Sequence, residues 1–366
     1  MGVRVLVHIE DPGAANYVAG LSDALVARGH GCALLAEGLG GRALAQRGER
    51  LASRDGRSAP DLLAAFRPDV VLVGTSENPD TLAHALVDAA RSAGIPSVGV
   101  VDAFANASAR FRGHSADPLA HAPDAILVPD PWTRDAFVSL GARRVVVCGH
   151  PHHDHVRAER ARLAAKDRAA LRRDLWGPQA SDRHWVLFVS EISGGLDAAQ
   201  FQRSAEYTLH GRGGRDGRTE IVLEELLDGL AEACPDAGLA VRLHPKNTRE
   251  DLGALLDEVD AVSAGGSALE AAWAADLVVG MSSMLLLEAA LLERPTLSVV
   301  PRAIERDWLP STRTGATPCV TERGALRGRL AAWAAGSVPV VPVPVEAGAI
   351  DNVIRVIERV GEGRTA

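Results

Sequence analysis

The chain has 366 residues, more than one ordinary domain needs and enough for two of roughly 150–200 residues. Hydrophobic residues make up 47% and charged residues 23%, a globular mix that excludes a disordered chain. A formal net charge of -8 and an aromatic content of 4% argue against nucleic acid as a partner, because such binders show a basic face and stacking platforms.

Cys32, Cys148, Cys234 and Cys319 have no CxxC spacing. They predict neither a zinc knuckle nor a disulfide framework and suit a reducing, cytoplasmic location. The opening apolar run stops after about nine positions, too few for a signal peptide. No window approaches the ~20 apolar residues of a membrane span, so no stable membrane insertion is expected.

In chain order, Val3–Ile9 reads as a buried strand, and Asp11-Pro12-Gly13 turns into a helix from Tyr17 to Arg28. Cys32–Ala36 is the next strand, closed by Gly-rich turns. Helices over Pro60–Phe66 and Thr81–Ala93 alternate with strands at Asp69–Gly74, Ser97–Val101, Ala125–Val128 and Arg144–Cys148. The segment Arg157–Arg173 is charged and helical, and Trp176–Pro178 with Ser181-Asp182 reads as a linker. The strand pattern restarts at Trp185–Val189. Residues 193–219 read as a long mobile loop, the kind that serves as a lid or is disordered. Then follow helix Ile221–Cys234, strand Leu239–Leu243, helix Glu250–Val259, strand Leu277–Val279, helix Ser283–Leu292, strand Thr296–Val300 and a last helix over Ala349–Val360.

Strands without polar alternation, separated by helices, predict parallel sheets covered on both faces. The expected class is α/β, with two Rossmann-like doubly wound domains facing a cleft. The expected boundaries are 1–155 for a first domain, 156–183 for a linker and 184–345 for a second. Residues 346–366 form a helix expected to cross back to the first half.

The most specific segment is Gly280-Met281-Ser282-Ser283-Met284-Leu285-Leu286-Leu287-Glu288. A strand ends, small hydroxyl residues turn the chain, and a helix begins. Unpaired N–H groups at a helix N-terminus favour an anion. Glu288, one and a half turns in, is placed to accept hydrogen bonds from a ribose. The plainer alternative is that Ser282 or Ser283 is only an N-cap and Glu288 a solvated residue. His244-Pro245-Lys246-Asn247 follows a strand, at the sheet edge where open α/β folds bind ligands, and Pro245 holds His244 extended. An ordinary loop histidine fits equally.

In the first half, Glu10 and Asp11 end a strand and offer a general base for an acceptor hydroxyl; alternatively, Asp11 caps a helix with Pro12 at its first position. Asp102, Asn106, Arg110 and Phe111 suit an anionic or polyhydroxylated group, or a structural ion pair. His150, His152, His153 and His155 are too crowded for a regular tetrahedral site, so no metal is expected. GxGxxG after a strand, GxxxxGK[ST] and GxSxG are all absent, which argues against dinucleotide binding, a P-loop ATPase and an elbow hydrolase.

HPKN followed by GMSSMLLLEAALLERP resembles the nucleotide half of GT-B-fold enzymes. These include nucleotide-sugar glycosyltransferases, UDP-N-acetylglucosamine 2-epimerases and bacterial sialyl-, Kdo- and glycerophosphate transferases. Gly149-His150-Pro151 with Asp154 is similar to the segment that often ends their first half. The resemblance implies that His244, Ser282 and Ser283 meet the donor phosphates and Glu288 the ribose. It places Pro245, Gly280, Gly13, Gly149 and Glu191 among the binding positions, and Asp11, Glu10 and Asp102 among the catalytic ones. Bacterial sialyltransferases carry an acidic pair followed directly by glycine, and here Pro12 stands between Glu10-Asp11 and Gly13. Two places depart from the epimerases: Gly74-Thr75 lacks an aspartate, and Ser190-Glu191 replaces a His-Arg-Arg-Glu type run. The implied activity is metal-independent transfer from a nucleotide-sugar donor to a hydroxyl acceptor, with no cofactor and with a homodimer compatible. A 2-epimerase and a non-catalytic nucleotide binder are the alternatives.

Overall fold

The computed structural model describes residues 2–76, 78–102, 106–180, 183–192, 201–263 and 265–363. The chain divides into two compact units, Met1–His155 with Val345–Ala366, and Val156–Pro344.

The first unit holds strands β1 (Arg4–Ile9), β2 (Gly31–Ala36), β3 (Val70–Gly74), β4 (Ser97–Val100), β5 (Ala125–Val128) and β6 (Val145–Val147). They form one parallel sheet in the order β2-β1-β3-β4-β5-β6. Inner strands such as β3 are buried along their whole length, which is why they carry Val and Leu without alternation. Chain direction across the sheet reverses between β1 and β3. The residues that follow β1 and β3 therefore stand at a topological switch point, the place where open α/β sheets bind ligands.

The predicted helix from Tyr17 to Arg28 is two helices, Pro12–Val18 and Leu21–Ala27, broken where Gly20 takes φ +76°. The Gly-rich turns after β2 form a helix, Gly38–Gln46. Its glycines serve close approach: a Cβ on Gly40 would lie 2.7 Å from the carbonyl oxygens of Glu10 and Asp11. The last helix, Ala349–Gly361, buries Val353, Ile354, Val356, Ile357 and Val360 in the same core as β1 and β3. Asp154 accepts its Ala349 N–H at 2.7 Å.

The second unit holds β7 (Trp185–Val189), β8 (Gly238–Arg242), β9 (Ala261–Val262), β10 (Leu277–Gly280), β11 (Thr296–Val299) and β12 (Cys319–Val320). Their parallel order is β12-β11-β10-β7-β8-β9, with the reversal between β7 and β10. The expected linker is part of this unit. Helices Pro151–Ala164 and Arg168–Trp176 replace the single charged helix. Arg168 and Arg172 reach Asp276 at 2.9 and 2.6 Å, and the Trp176 ring lies 4.8 Å from that of Trp185. Ser181 and Asp182 lie outside the described residues.

The expected mobile loop is, over 201–217, a packed segment. Phe201, Tyr207 and Leu209 are buried, and Thr208 Oγ1 donates to the Pro301 carbonyl at 2.9 Å. Residues 193–200 lie outside the described set. The helix expected over Glu250–Val259 is instead two 3-10 turns, Arg249–Asp251 and Gly253–Asp257, separated by Leu252. Among the described residues no helix is long and apolar enough to cross a membrane.

Candidate functional site

In the first unit, Glu10 and Asp11 leave β1 while Thr75 and Ser76 leave β3, so they meet where the sheet reverses. Glu10 is fully engaged. Its carboxylate accepts from Ser76 Oγ at 3.0 Å, Asn78 Nδ2 at 3.1 Å and Thr81 Oγ1 at 2.7 Å. It ties the β3 loop to the helix Leu82–Ala93 that Thr81 caps. Asp11 is the N-cap residue by backbone, with Pro12 in the first turn, but its side chain makes no cap hydrogen bond. Burial raises the Asp11 carboxyl above the usual range; a hydrogen bond from Ser76 works against this, and the charges of Glu10 and Asp102 add to it.

Asp102 follows β4 and lies against the same corner. An ideal Cβ on Gly13 would sit 1.7 Å from Asp102 Oδ2, so only glycine leaves that carboxylate its place. Arg110 Nη1 is 3.5 Å from Asp102 Oδ1. The buried Oδ1 has no hydrogen-bond partner among the described residues. Arg110 thus pairs with Asp102, and both lie close enough to half-buried Asp11 for their charges to act on it. Residues 77 and 103–105 lie outside the described residues.

Gly149 belongs to packing within this unit. It takes φ +80°, its carbonyl accepts from Tyr17 Oη at 2.9 Å, and a Cβ would meet Glu346 at 2.9 Å. His150 is buried and stacks on His153 at 4.8 Å. Burial, and then the neighbouring histidines, hold its pKa well below the usual value. Among the described residues no group of three or more His, Cys, Asp or Glu is arranged to hold a metal.

In the second unit, Ser190-Glu191 leaves β7 and Met281-Ser282 leaves β10, the two strands flanking the reversal. Glu191 lies against the turn at Ser282. Its carboxylate accepts the Ser282 N–H, the Ser282 hydroxyl at 3.0 Å and Arg218 Nη1 at 2.7 Å. Arg218 is 1% exposed and opens the helix Arg218–Ala233. It also donates through Nε to Glu305 at 2.8 Å. Burial works against its charge, but Glu191 and Glu305 outweigh this and raise its pKa.

Ser283 is the N-cap of helix Met284–Leu291, accepting from Leu285 N–H at 3.3 Å, and Glu288 is half-buried on that helix. His244 N–H donates to Ser190 Oγ at 2.9 Å, and His244 Nδ1 accepts from Lys246 N–H at 3.1 Å. That bond leaves the ring proton on Nε2 as a donor. Burial lowers the His244 pKa, Lys246 lowers it further, and Glu191 opposes. Asn247 Nδ2 holds the Glu191 carbonyl at 2.9 Å, which gives the fourth residue of HPKN a role. Arg218 escaped the sequence reading because it sits in a polar, Gly/Arg-rich stretch; its only signal is a basic residue heading an apolar helix.

No protein-family model matches the chain, and no curated protein matches it in sequence. Its fold matches solved structures. The UDP-GlcNAc 2-epimerase from Neisseria meningitidis, solved with UDP-GlcNAc bound, has a TM-score of 0.67 at 15% identity, covering 97% of this chain and 100% of that one. The chain has the GT-B fold. The 2-epimerase of Methanocaldococcus jannaschii scores 0.65 at 14% identity, covering 97% and 99%. A glycosyltransferase of kitacinnamycin scores 0.53 at 16%, covering 98% and 96%. Epimerases and glycosyltransferases thus share this architecture, and at such identities the likeness defines the fold alone.

Proposed function

We propose that this GT-B protein transfers a sugar from a nucleotide-sugar donor to a hydroxyl acceptor. The observation that carries the reading is the corner at Ser282 and Arg218, which gathers a helix-entry N–H, a hydroxyl and a guanidinium around one carboxylate. Such a set suits phosphate oxygens. In this reading Ser282, Ser283 and His244 take the donor phosphates, Gly280 and Pro245 hold the backbone beside them, and Glu288 takes the ribose. His244, neutral with its proton on Nε2, donates to the phosphate as the anomeric bond breaks and negative charge grows there, an electrostatic role.

Asp11 takes the acceptor proton. Its raised pKa brings a carboxyl closer to the pH at which proton transfer works best. Asp102 pairs with Arg110 near it, and Glu10 fastens the loop behind it. Asp11→Ala should abolish transfer and leave nucleotide binding intact, measured by product assay and titration calorimetry. Loss of nucleotide binding in that variant refutes the division of roles.

A specific observation favours a second reading. Asp11 and Asp102 offer two neighbouring carboxylates, and a 2-epimerase must remove and return a proton at a sugar carbon. Incubation with UDP-GlcNAc and no acceptor separates the two: an epimerase yields the epimer or free UDP, a transferase almost neither.

A further inference from the structure

The donors expected to grip the nucleotide's phosphates already have an anion, and it belongs to the protein. Ser282 N–H, Ser282 Oγ and Arg218 Nη1 all donate to the Glu191 carboxylate, whose side chain is 15% exposed. A carboxylate and a phosphate cannot share these donors, because like charges at this spacing repel strongly. We propose that Glu191 is a tethered phosphate surrogate: it closes the anion site when no ligand is bound, and a nucleoside diphosphate enters by exchanging with it. This rests on the nucleotide reading above and adds to it the resident competitor.

The surroundings fit exchange rather than a permanent pair. The backbone of Glu191 is pinned, its carbonyl accepting from Asn247 Nδ2 at 2.9 Å and Thr219 Oγ1 at 3.3 Å. Only side-chain torsions need to turn. Arg218 keeps a second, fully buried carboxylate, Glu305, which also accepts from Arg302 Nε at 2.7 Å. With Glu191 turned out, two guanidiniums face one buried carboxylate; Glu206, 3.5 Å from Arg302, is 68% exposed and screened by water. The surplus positive charge is what an entering phosphate neutralises. A carboxylate held in place of the ligand also spares the unliganded protein a buried unsatisfied cation.

The test is Glu191→Gln in the full chain, titrated with UDP and with inorganic pyrophosphate. The variant keeps the shape and loses the competing charge, removing about one charge-assisted hydrogen bond, so both probes should bind on the order of tenfold more tightly. Glu191→Asp, which cannot span Ser282 and Arg218 together, should also tighten binding, and it decides the matter should the glutamine variant fail to fold by circular dichroism. Equal or weaker UDP binding by a folded variant overturns the surrogate and makes Glu191 a structural counter-ion. If neither the wild type nor the variants bind UDP, CMP, CDP, GDP or dTDP, the nucleotide reading itself falls.

Discussion

Gly13→Ala is the sharpest probe of Asp102, because the added atom has one place to go. Its Cβ would lie 1.7 Å from Asp102 Oδ2 and 2.7 Å from Asp102 Cγ. Non-bonded atoms need roughly 3.5 Å, so the carboxylate must retreat by about 1.8 Å. A misplacement of about 1 Å at reacting groups costs on the order of 10²-fold, so kcat/KM should fall by at least that factor. Backbone preference at this helical position favours alanine by up to roughly 1 kcal/mol, so the fold should survive. UDP affinity should hold, since the cradle proposed for it lies in the second unit. Initial rates, calorimetry with UDP and urea denaturation measure the three quantities. A double-mutant cycle sharpens the test: in an Asp102→Ala background the Gly13 substitution should cost almost nothing more. Full activity of Gly13→Ala, or an equal loss in both backgrounds, would refute the argument.

Burial lowers the pKa of His8 and, more strongly, of His150. The unfolded chain therefore binds more protons below about pH 6.5. Stability should be complete above that pH and fall as pH drops through it, by up to about 1.4 kcal/mol per pH unit for each histidine. Urea midpoints at pH 7.5 and 5.5 measure the slope, and His150→Asn should flatten it; a level profile in the wild type contradicts the assignment. Asp276→Ala strands Arg172, which it meets at 2.6 Å, along with Arg168, and should cost about 3–5 kcal/mol in denaturant titrations of the full chain. A loss below 1 kcal/mol would mean that water or the nearby carbonyls replace it. Glu10→Gln removes the charge from a carboxylate with three donors and should cost about 2 kcal/mol, with faster proteolysis near residues 76–81 and unchanged UDP affinity.

The parallel sheets were legible because buried strands such as Val70–Gly74 carry uninterrupted Val and Leu, a pattern set by having both faces covered. The Ser282 corner was legible for a similar reason: a glycine ending a strand and two serines before an apolar run leave few alternatives to a helix entry. What the sequence hid were contacts between distant residues. Nothing local in SGGLDAAQFQRSAEYTLHGRGGRDGRT marks Phe201, Tyr207 and Leu209 as buried, because their partners lie elsewhere in the fold. Arg218 reads as one more basic residue until Glu305, 87 positions later, is found beside it. The Gly-rich stretch after β2 reads as turns on propensity alone. The helix there passes close to the Glu10–Asp11 carbonyls, and at that contact, Gly40, a side chain would not fit.

The helix Ala349–Gly361 shares a core with β1 and β3, yet it is translated only after the entire second unit. The ribosome therefore releases a first unit that lacks one wall of its interior for the time it takes to make residues 156–344. Val3, Val70 and their neighbours must wait for a late arrival, so early chaperone dependence is to be expected of this half rather than of the uninterrupted one. By the same logic, a nonsense codon near position 345 would spare the younger unit and cripple the older.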